Sequence, residues 1–279
     1  MDDGPTTACR VCGAPGSATR RRVGVRDVDV CRGCGFGAVV TSDAGTDYWA
    51  RKHDAQGELG SGYWAARLPV YLRALDEVAA ERGPGRVLDI GGGGAHFAEA
   101  ALARGWDAYS SDVSEHAVRA AAARLGAERS LRALPDPMAG TCDVVTLWCV
   151  VAHVEDAADL LAEGRRALKR GGVLLLSTPN FLFQTAYAAL SGRLGRPLDF
   201  VAQDHISHYT PRAIEILLSA AGFRPAQAYW GVTDVCLLEE RLGPVLVPAK
   251  RAWNRAALGL NRLGLPRWSS ELHVRAALA

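Results

Sequence analysis

The sequence predicts an α/β protein: a seven-stranded, mostly parallel sheet with an antiparallel edge pair, fronted by a small cysteine-built module. Three observations carry this expectation. From Tyr63 onward, short β-rich runs alternate with helical ones, a rhythm that implies right-handed crossovers between parallel strands. An apolar strand, Val87-Leu-Asp-Ile, runs directly into four glycines, Gly91 to Gly94. Two Cys-x-x-Cys pairs stand ahead of that alternation, ending at Cys34.

The elements follow in order. Trp64, Leu68, Tyr71, Leu72, Leu75 and Val78 recur at helical spacing, so 63–82 reads as an amphipathic helix stopped by Gly83-Pro84-Gly85. Strands are expected over 86–90, 107–111, 143–148 and 173–178, with helices over 95–104, 115–124 and 157–169. A helix over 211–221 and strands over 223–229 and 271–277 complete the set, the last two as the edge pair.

A chain of 279 residues holds one sizeable α/β domain plus an appendage. The boundary is expected near residue 60, where a turn-rich, cysteine-paired segment (1–60) gives way to regular alternation (61–279). Hydrophobic residues at 49% and charged residues at 22% leave enough apolar side chains to cover both faces of a sheet. A net charge of +2 is far from the field of a phosphate-neutralising nucleic-acid binder. Met1 to Pro5 lacks a basic region followed by an apolar stretch, and no run approaches the ~18 apolar residues of a spanning helix. A soluble, cytoplasmic protein is the expectation.

Cys9-Arg-Val-Cys12-Gly and Cys31-Arg-Gly-Cys34-Gly are two knuckles with the spacing of a zinc ribbon. In a reducing compartment such pairs are metal ligands rather than disulfides. Four thiolates make a closed tetrahedral site for zinc, or iron in its place, which leaves no position for water or substrate and assigns the metal to structure. Asp27, Asp29, Asp43, Asp47, Asp54 and Glu58 offset Arg20, Arg21, Arg22 and Arg26, which weakens a nucleic-acid role for the module.

At the glycines, the dinucleotide fingerprint fails: its third glycine would fall at His96 or Phe97. The spacing acidic-x-Gly-x-Gly-x-small does fit, as Asp89, Gly91, Gly93 and Ala95, and it resembles motif I of the class I S-adenosylmethionine-dependent methyltransferases. Asp112 stands about 20 residues past the loop, after the second strand, where an acid can accept both ribose hydroxyls. Cys142 to Asp156 resembles the family's fourth-strand segment, and Leu168 to Asn180 resembles its fifth. The knuckles followed by Tyr48-Trp49 resemble a subgroup that begins with a zinc ribbon. The resemblance implies a Rossmann-like fold and bound S-adenosylmethionine, with Asp89, Gly91, Gly93, Asp112, Val113, Leu131 and Trp148 as cofactor contacts.

Two departures from the family matter. Ubiquinone-type O-methyltransferases carry a Glu-x-x-Glu-His divalent-metal site, and the matching positions here are Cys149, Ala152 and His153, so no catalytic magnesium is expected. Ahead of Leu134-Pro135 the chain has Ser130 and Leu131 instead of an aspartate, which leaves adenine contact to backbone groups.

Methyl transfer to a hydroxyl benefits from a base, and imidazole titrates in the useful range. Asp204-His205-Ile-Ser-His208-Tyr209-Thr210 resembles the family's acceptor-facing segment, with His205 the first candidate and His208 the second. Alternatively, these residues cap the helix at Pro211 and pin the loop. His153 either touches acceptor or cofactor or anchors its own loop. His53, His116 and His273 read as surface or packing residues. An insertion near 180–210, with Phe181, Phe183, Tyr187 and Phe200, is long enough to cover an acceptor pocket. In a helix near 245–265, Lys250, Arg251, Arg255 and Arg262 oppose Trp253, Ala256, Leu260 and Leu263, a pattern suited to an anionic membrane surface, to the catalytic domain or to a second subunit in a homodimer.

The expected activity is O-methylation of a small molecule or sugar in specialised-metabolite or glycan biosynthesis. The alternatives are an rRNA or tRNA methyltransferase, which lacks support from an Asn/Asp-Pro-Pro-Tyr motif here, and a non-catalytic cofactor-fold module whose ribbon recruits a partner.

Overall fold

A computed structural model describes residues 8–24, 26–40, 61–193, 205–229 and 269–279, with positions 252 and 256. The first strands are β1 (Ala18–Val23), β2 (Arg26–Cys31) and β3 (Gly37–Val39). Helix α1 (Ser61–Arg82) leads into β4 (Arg86–Ile90), α2 (His96–Leu102), β5 (Asp107–Ser111), α3 (Glu115–Leu125) and a two-residue β6 (Ser130–Leu131). Then come β7 (Cys142–Trp148), α4 (Ala158–Ala167), β8 (Leu168–Pro179), α5 (Phe181–Arg193), β9 (Ser207–His208), α6 (Pro211–Ala220), β10 (Phe223–Tyr229) and β11 (Glu271–Leu278).

The large sheet has the order β10-β11-β8-β7-β4-β5-β6. Strands β4 to β8 pair in parallel, and β11 runs antiparallel to both β8 and β10. This is the expected seven-stranded sheet with its antiparallel edge. Strand β4 pairs with β5 on one side and β7 on the other, so the chain reverses direction across the sheet there. Ligand crevices in open α/β sheets form at the carboxyl ends of strands at such a reversal.

Period-2 alternation decides which helix meets which strand residue. Val87, Val144, Val173 and Leu175 face one side, against Tyr71, Leu72, Leu75 and Val78 of α1 and Phe97 and Ala101 of α2. Leu88, Ile90, Val145, Leu147, Leu174 and Leu176 face the other, against Leu161 of α4 and Ile214, Leu217 and Leu218 of α6. Both faces are covered, so the central strands read as continuous apolar runs. Each fully buried Leu or Ile contributes roughly 1.5–3 kcal/mol relative to exposure.

A second sheet, ordered β1-β2-β3-β9, joins the cysteine module to the rest of the chain. Gly37 pairs with His208 and Ala38 with Ser207, so the module's sheet is completed by the segment that carries two of the candidate histidines. Periodicity could not reveal a two-residue strand whose partner lies so far away. The expected boundary near residue 60, Tyr48-Trp49, Asp204, Phe200, His53 and all of the 245–265 helix except 252 and 256 lie outside the described residues. Among the described residues, no helix is long and apolar enough to cross a membrane.

Candidate functional site

The glycine loop leaves β4 with Asp89 beneath it. Asp89 is 2% exposed, and Thr146 of β7 donates a hydroxyl to its Oδ1 at 2.5 Å. Burial pushes its carboxyl up to about 7 against that bond, and the charge of Asp112 adds to the rise. Gly92 fits only because it has no side chain: a Cβ there would lie 2.3 Å from Ser110 Oγ and 2.7 Å from Asp89 Oδ2. At Gly93 the backbone is left-handed, φ +55°, and the space above it is open. Ala95 is also left-handed, at φ 62°, and fully buried, so both strain and space demand the small residue the pattern specifies.

Asp112, after β5, closes the loop. Gly93 N–H donates to its Oδ2 at 3.0 Å, and Ser114 N–H donates to its Oδ1 at 2.9 Å, so both carboxylate oxygens are pre-oriented with lone pairs to spare. Ser114 also caps α3 by accepting from Ala117 N–H. Val113 is 69% exposed, the largest exposure among the big apolar side chains described. Leu131 pairs with Ser111 at the next strand end, and its carbonyl accepts from Asp112 N–H at 3.1 Å. Trp148, at the end of β7, stacks on Tyr71 with ring centroids 4.2 Å apart. Its buried Nε1 has no hydrogen-bond partner among the described residues.

The three candidate histidines converge. The His153 and His205 rings lie 4.5 Å apart, and His205 meets His208 edge-on at 6.4 Å. Burial drives the His208 imidazole down to about 4 and keeps it neutral at ordinary pH. Its Nδ1 lies 3.2 Å from Oε1 of buried Gln184, a pairing that places the proton on Nδ1, and Phe181 stacks on the ring at 5.1 Å. Gln184 was not a sequence candidate; only its place on the helix following Asn180 could have drawn attention to it.

Sequence reasoning also passed over a buried ionic cluster beside Trp148. Arg67 of α1 donates to Glu271 Oε1 at 2.8 Å, and His273 Nε2 lies 3.1 Å from Glu271 Oε2. Despite complete burial, the Arg67 charge and the contact with His273 hold the Glu271 carboxyl down at about 2. His273 therefore sits in an ionic network rather than at the surface.

The four sequence-chosen cysteines come together, with all Sγ atoms within 4.8 Å of one another. Cys9 and Cys34 Sγ are 3.7 Å apart and Cys12 and Cys31 Sγ 3.6 Å. These separations far exceed a disulfide bond and match the ~3.8 Å edge of a tetrahedron with ~2.3 Å metal–sulfur bonds. Burial works against ionising Cys31, but hydrogen bonds from Ser17 and from the Cys34 and Gly33 backbone bring its thiol down to about 6.

The sheet order, its reversal at β4 and the glycine loop between β4 and α2 together define the fold of the class I S-adenosylmethionine-dependent methyltransferases. The family model described as "Methyltransferase domain" matches residues 63–228, and the chain belongs to that family. Among curated relatives, the ubiquinone biosynthesis O-methyltransferase of Psychrobacter arcticus is 33% identical over 172 residues, covering 55% of this chain and 65% of the relative. That of Acinetobacter baylyi is 32% identical over 123 residues, 40% of this chain and 51% of the relative. The chain thus matches between half and two thirds of their length. A protein of Pyrococcus horikoshii OT3 shares the fold at TM-score 0.51 and 14% identity, over 84% of this chain and 100% of its own. So does a chain of the Haloferax volcanii complex containing the Trm112 methyltransferase activator, at TM-score 0.52 and 14% identity, over 85% and 99%.

Proposed function

We propose that this protein transfers a methyl group from S-adenosylmethionine to an oxygen of a small-molecule or sugar acceptor. The observation that carries the reading is that the Asp89–Gly93 loop and the turn bearing His153 leave the carboxyl ends of the paired parallel strands β4 and β7, with Gly91 close against Val150 of that turn. The names of the curated relatives, O-methyltransferases of a small molecule, point the same way.

The residues fit the cofactor. Open space at Gly93, the two pre-oriented oxygens of Asp112 and the Trp148 N–H, which has no partner among the described residues, suit a nucleoside bearing hydroxyls and a polar tail. Asp112 would hold the ribose hydroxyls, Val113 and Leu131 would flank the base, and Asp89 would support the loop from below while favouring a cation above it. When bound, S-adenosylmethionine supplies a methyl group already activated by its sulfonium.

The protein's own task is to align acceptor and donor and exclude water, worth ~7–11 kcal/mol in favourable cases. His205 would take the hydroxyl proton as the bond forms. His208, neutral and fixed by Gln184, would hold the neighbouring ring in place. The four cysteines would bind zinc as a closed structural site, outside the chemistry.

The test is incubation with methyl-labelled S-adenosylmethionine and a panel of phenols, sugars and RNA. Label should enter a phenol or sugar oxygen, and His205→Ala should lower turnover ~100-fold or more while leaving S-adenosylhomocysteine affinity intact. Label confined to RNA would transfer the assignment to a nucleic-acid methyltransferase. A folded chain that binds no cofactor would be a non-catalytic module.

A further inference from the structure

The segment bearing His205 and His208 is held from two sides. On one side, Ile206 N–H donates to Ala152 O at 2.9 Å, and Ser207 Oγ donates to Val154 O at 2.8 Å, which ties the segment to the turn carrying His153. On the other side, Val39 N–H of β3 donates to Ile206 O at 3.1 Å, and Gly37 and Ala38 pair with His208 and Ser207. Ile206 thus divides its two backbone groups between the His153 turn and the cysteine module.

The metal knuckle itself joins this contact. Thr210 donates its hydroxyl to the carbonyl of Cys34 at 2.8 Å while accepting from Ala213 N–H at 3.1 Å as the cap of α6. One oxygen therefore links a cysteine of the cluster to the helix that follows the histidines. Phe36, two residues past Cys34, packs its ring 5.2 Å from that of Tyr209. A Cβ on Gly37 would come 2.7 Å from the Phe181 ring, and that ring stacks on His208. Arg10, between the first two cysteines, donates to the Glu155 carbonyl at 2.7 Å. By contrast, the hydrogen bonds of Gly93 and Asp112 given above stay among residues 93–131.

We infer that the four-cysteine module is a positioning element of the acceptor side, whose bound metal sets the placement of His205 and His208 without shaping the cofactor cradle. This rests on the reading above that the cysteines hold a metal and that the histidines face the acceptor. The physical ground is size. Among the described residues of the module the buried apolar side chains besides the cysteines are Val11, Val23, Val28 and Phe36, a small core for such a segment, and metal-ligand bonds normally supply the folding energy of modules of this kind. Loss of the metal removes β3 as a partner strand, Cys34 O as the anchor of Thr210, and Phe36 as the backing of Tyr209. The cradle keeps β4, β5, β7 and their helices.

Hydrogen–deuterium exchange on the full chain tests this without an acceptor. Bound zinc is first quantified in the protein as isolated, then stripped with a chelator. Amides of 205–213 should exchange on the order of 100-fold faster after stripping, while those of 86–97 hold their protection. S-adenosylhomocysteine affinity should stay within about threefold. Val39→Pro, which deletes one β3 donor and leaves every cysteine in place, should speed exchange at 205–209 by about tenfold at unchanged zinc content and shift the His205 and His208 ring resonances.

Absence of bound metal, unchanged protection at 205–213 after stripping, or equal loss at 86–97 would each overturn the inference. The exchange contrast is read whether or not the protein binds the nucleoside, so failure of the methyltransferase reading would be seen separately.

Discussion

The glycine loop and the histidine cluster are assembled on different plans. The glycine loop is held within the large sheet: Gly93 and Ser114 bond Asp112, Thr146 of β7 bonds Asp89, and Ser110 and Asp89 leave no room for a side chain on Gly92. The histidine cluster is held by remote segments, including β3, the turn after β7, Gln184 of α5 and the Cys34 knuckle. A locally closed site tolerates injury elsewhere in the chain, whereas a site closed by distant parts is only as firm as the least stable of them.

The largest break in that comparison should come from within the loop. Gly92→Ala forces a methyl group into the buried side chains of Ser110 and Asp89, both of which must move. We expect a loss of about 3 kcal/mol of stability and undetectable S-adenosylhomocysteine binding, checked by denaturant melts and calorimetry.

Titration distinguishes the two sides by sign. Asp89 has its folded pKa raised from 3.8 to about 7, so its contribution is complete below 3.8 and fades as pH rises through 7, by on the order of 4 kcal/mol. His208 has its pKa lowered from 6.5 to about 4, so its contribution is complete above 6.5 and fades as pH falls through 4, by on the order of 3 kcal/mol. Both changes fall between about pH 4 and 7 and oppose each other, so the wild-type curve should be nearly flat there, Asp89→Asn should leave a rise in stability with pH across that window, and His208→Asn should leave a fall. Identical slopes in both variants and the wild type would mean that neither group is buried as described.

The smallest effect sharpens the histidine side alone. Thr210→Val removes both the α6 cap and the bond to Cys34 O and should cost about 1–2 kcal/mol, whereas Thr210→Ser keeps both. Equal melting of the two variants would argue that the hydroxyl links nothing.

The same contrast explains what could be read in the sequence. The strand over 86–90 and the acidic residues flanking the glycines were visible because each is fixed by neighbours a few positions away, where periodicity and turn chemistry operate. The four cysteines were visible because two Cys-x-x-Cys pairs form a spacing signal that is local in the sequence. The pairing of β3 with β9 left no trace, since two residues cannot display an alternation and their partner is chosen by tertiary packing. Gln184 and the Arg67–Glu271–His273 cluster were hidden for the same reason: a polar residue buried by distant elements looks in sequence like any exposed one. Ser130–Leu131 was too short to register as a strand, although its register with Ser110 and Ser111 places the end of Asp112's loop.

The central claim is that Asp89, the glycine turn and Asp112 form a cradle for the nucleoside of a sulfonium cofactor. Calorimetric titration of the full chain with S-adenosylhomocysteine tests it most directly, beside Asp112→Ala and beside NADH as a competing nucleotide. The account predicts one site per chain, weakened on the order of 30-fold or more in the variant because two charge-assisted hydrogen bonds are lost, with no heat from NADH. A folded wild-type chain that ignores S-adenosylhomocysteine, or that takes NADH in its place, would contradict it.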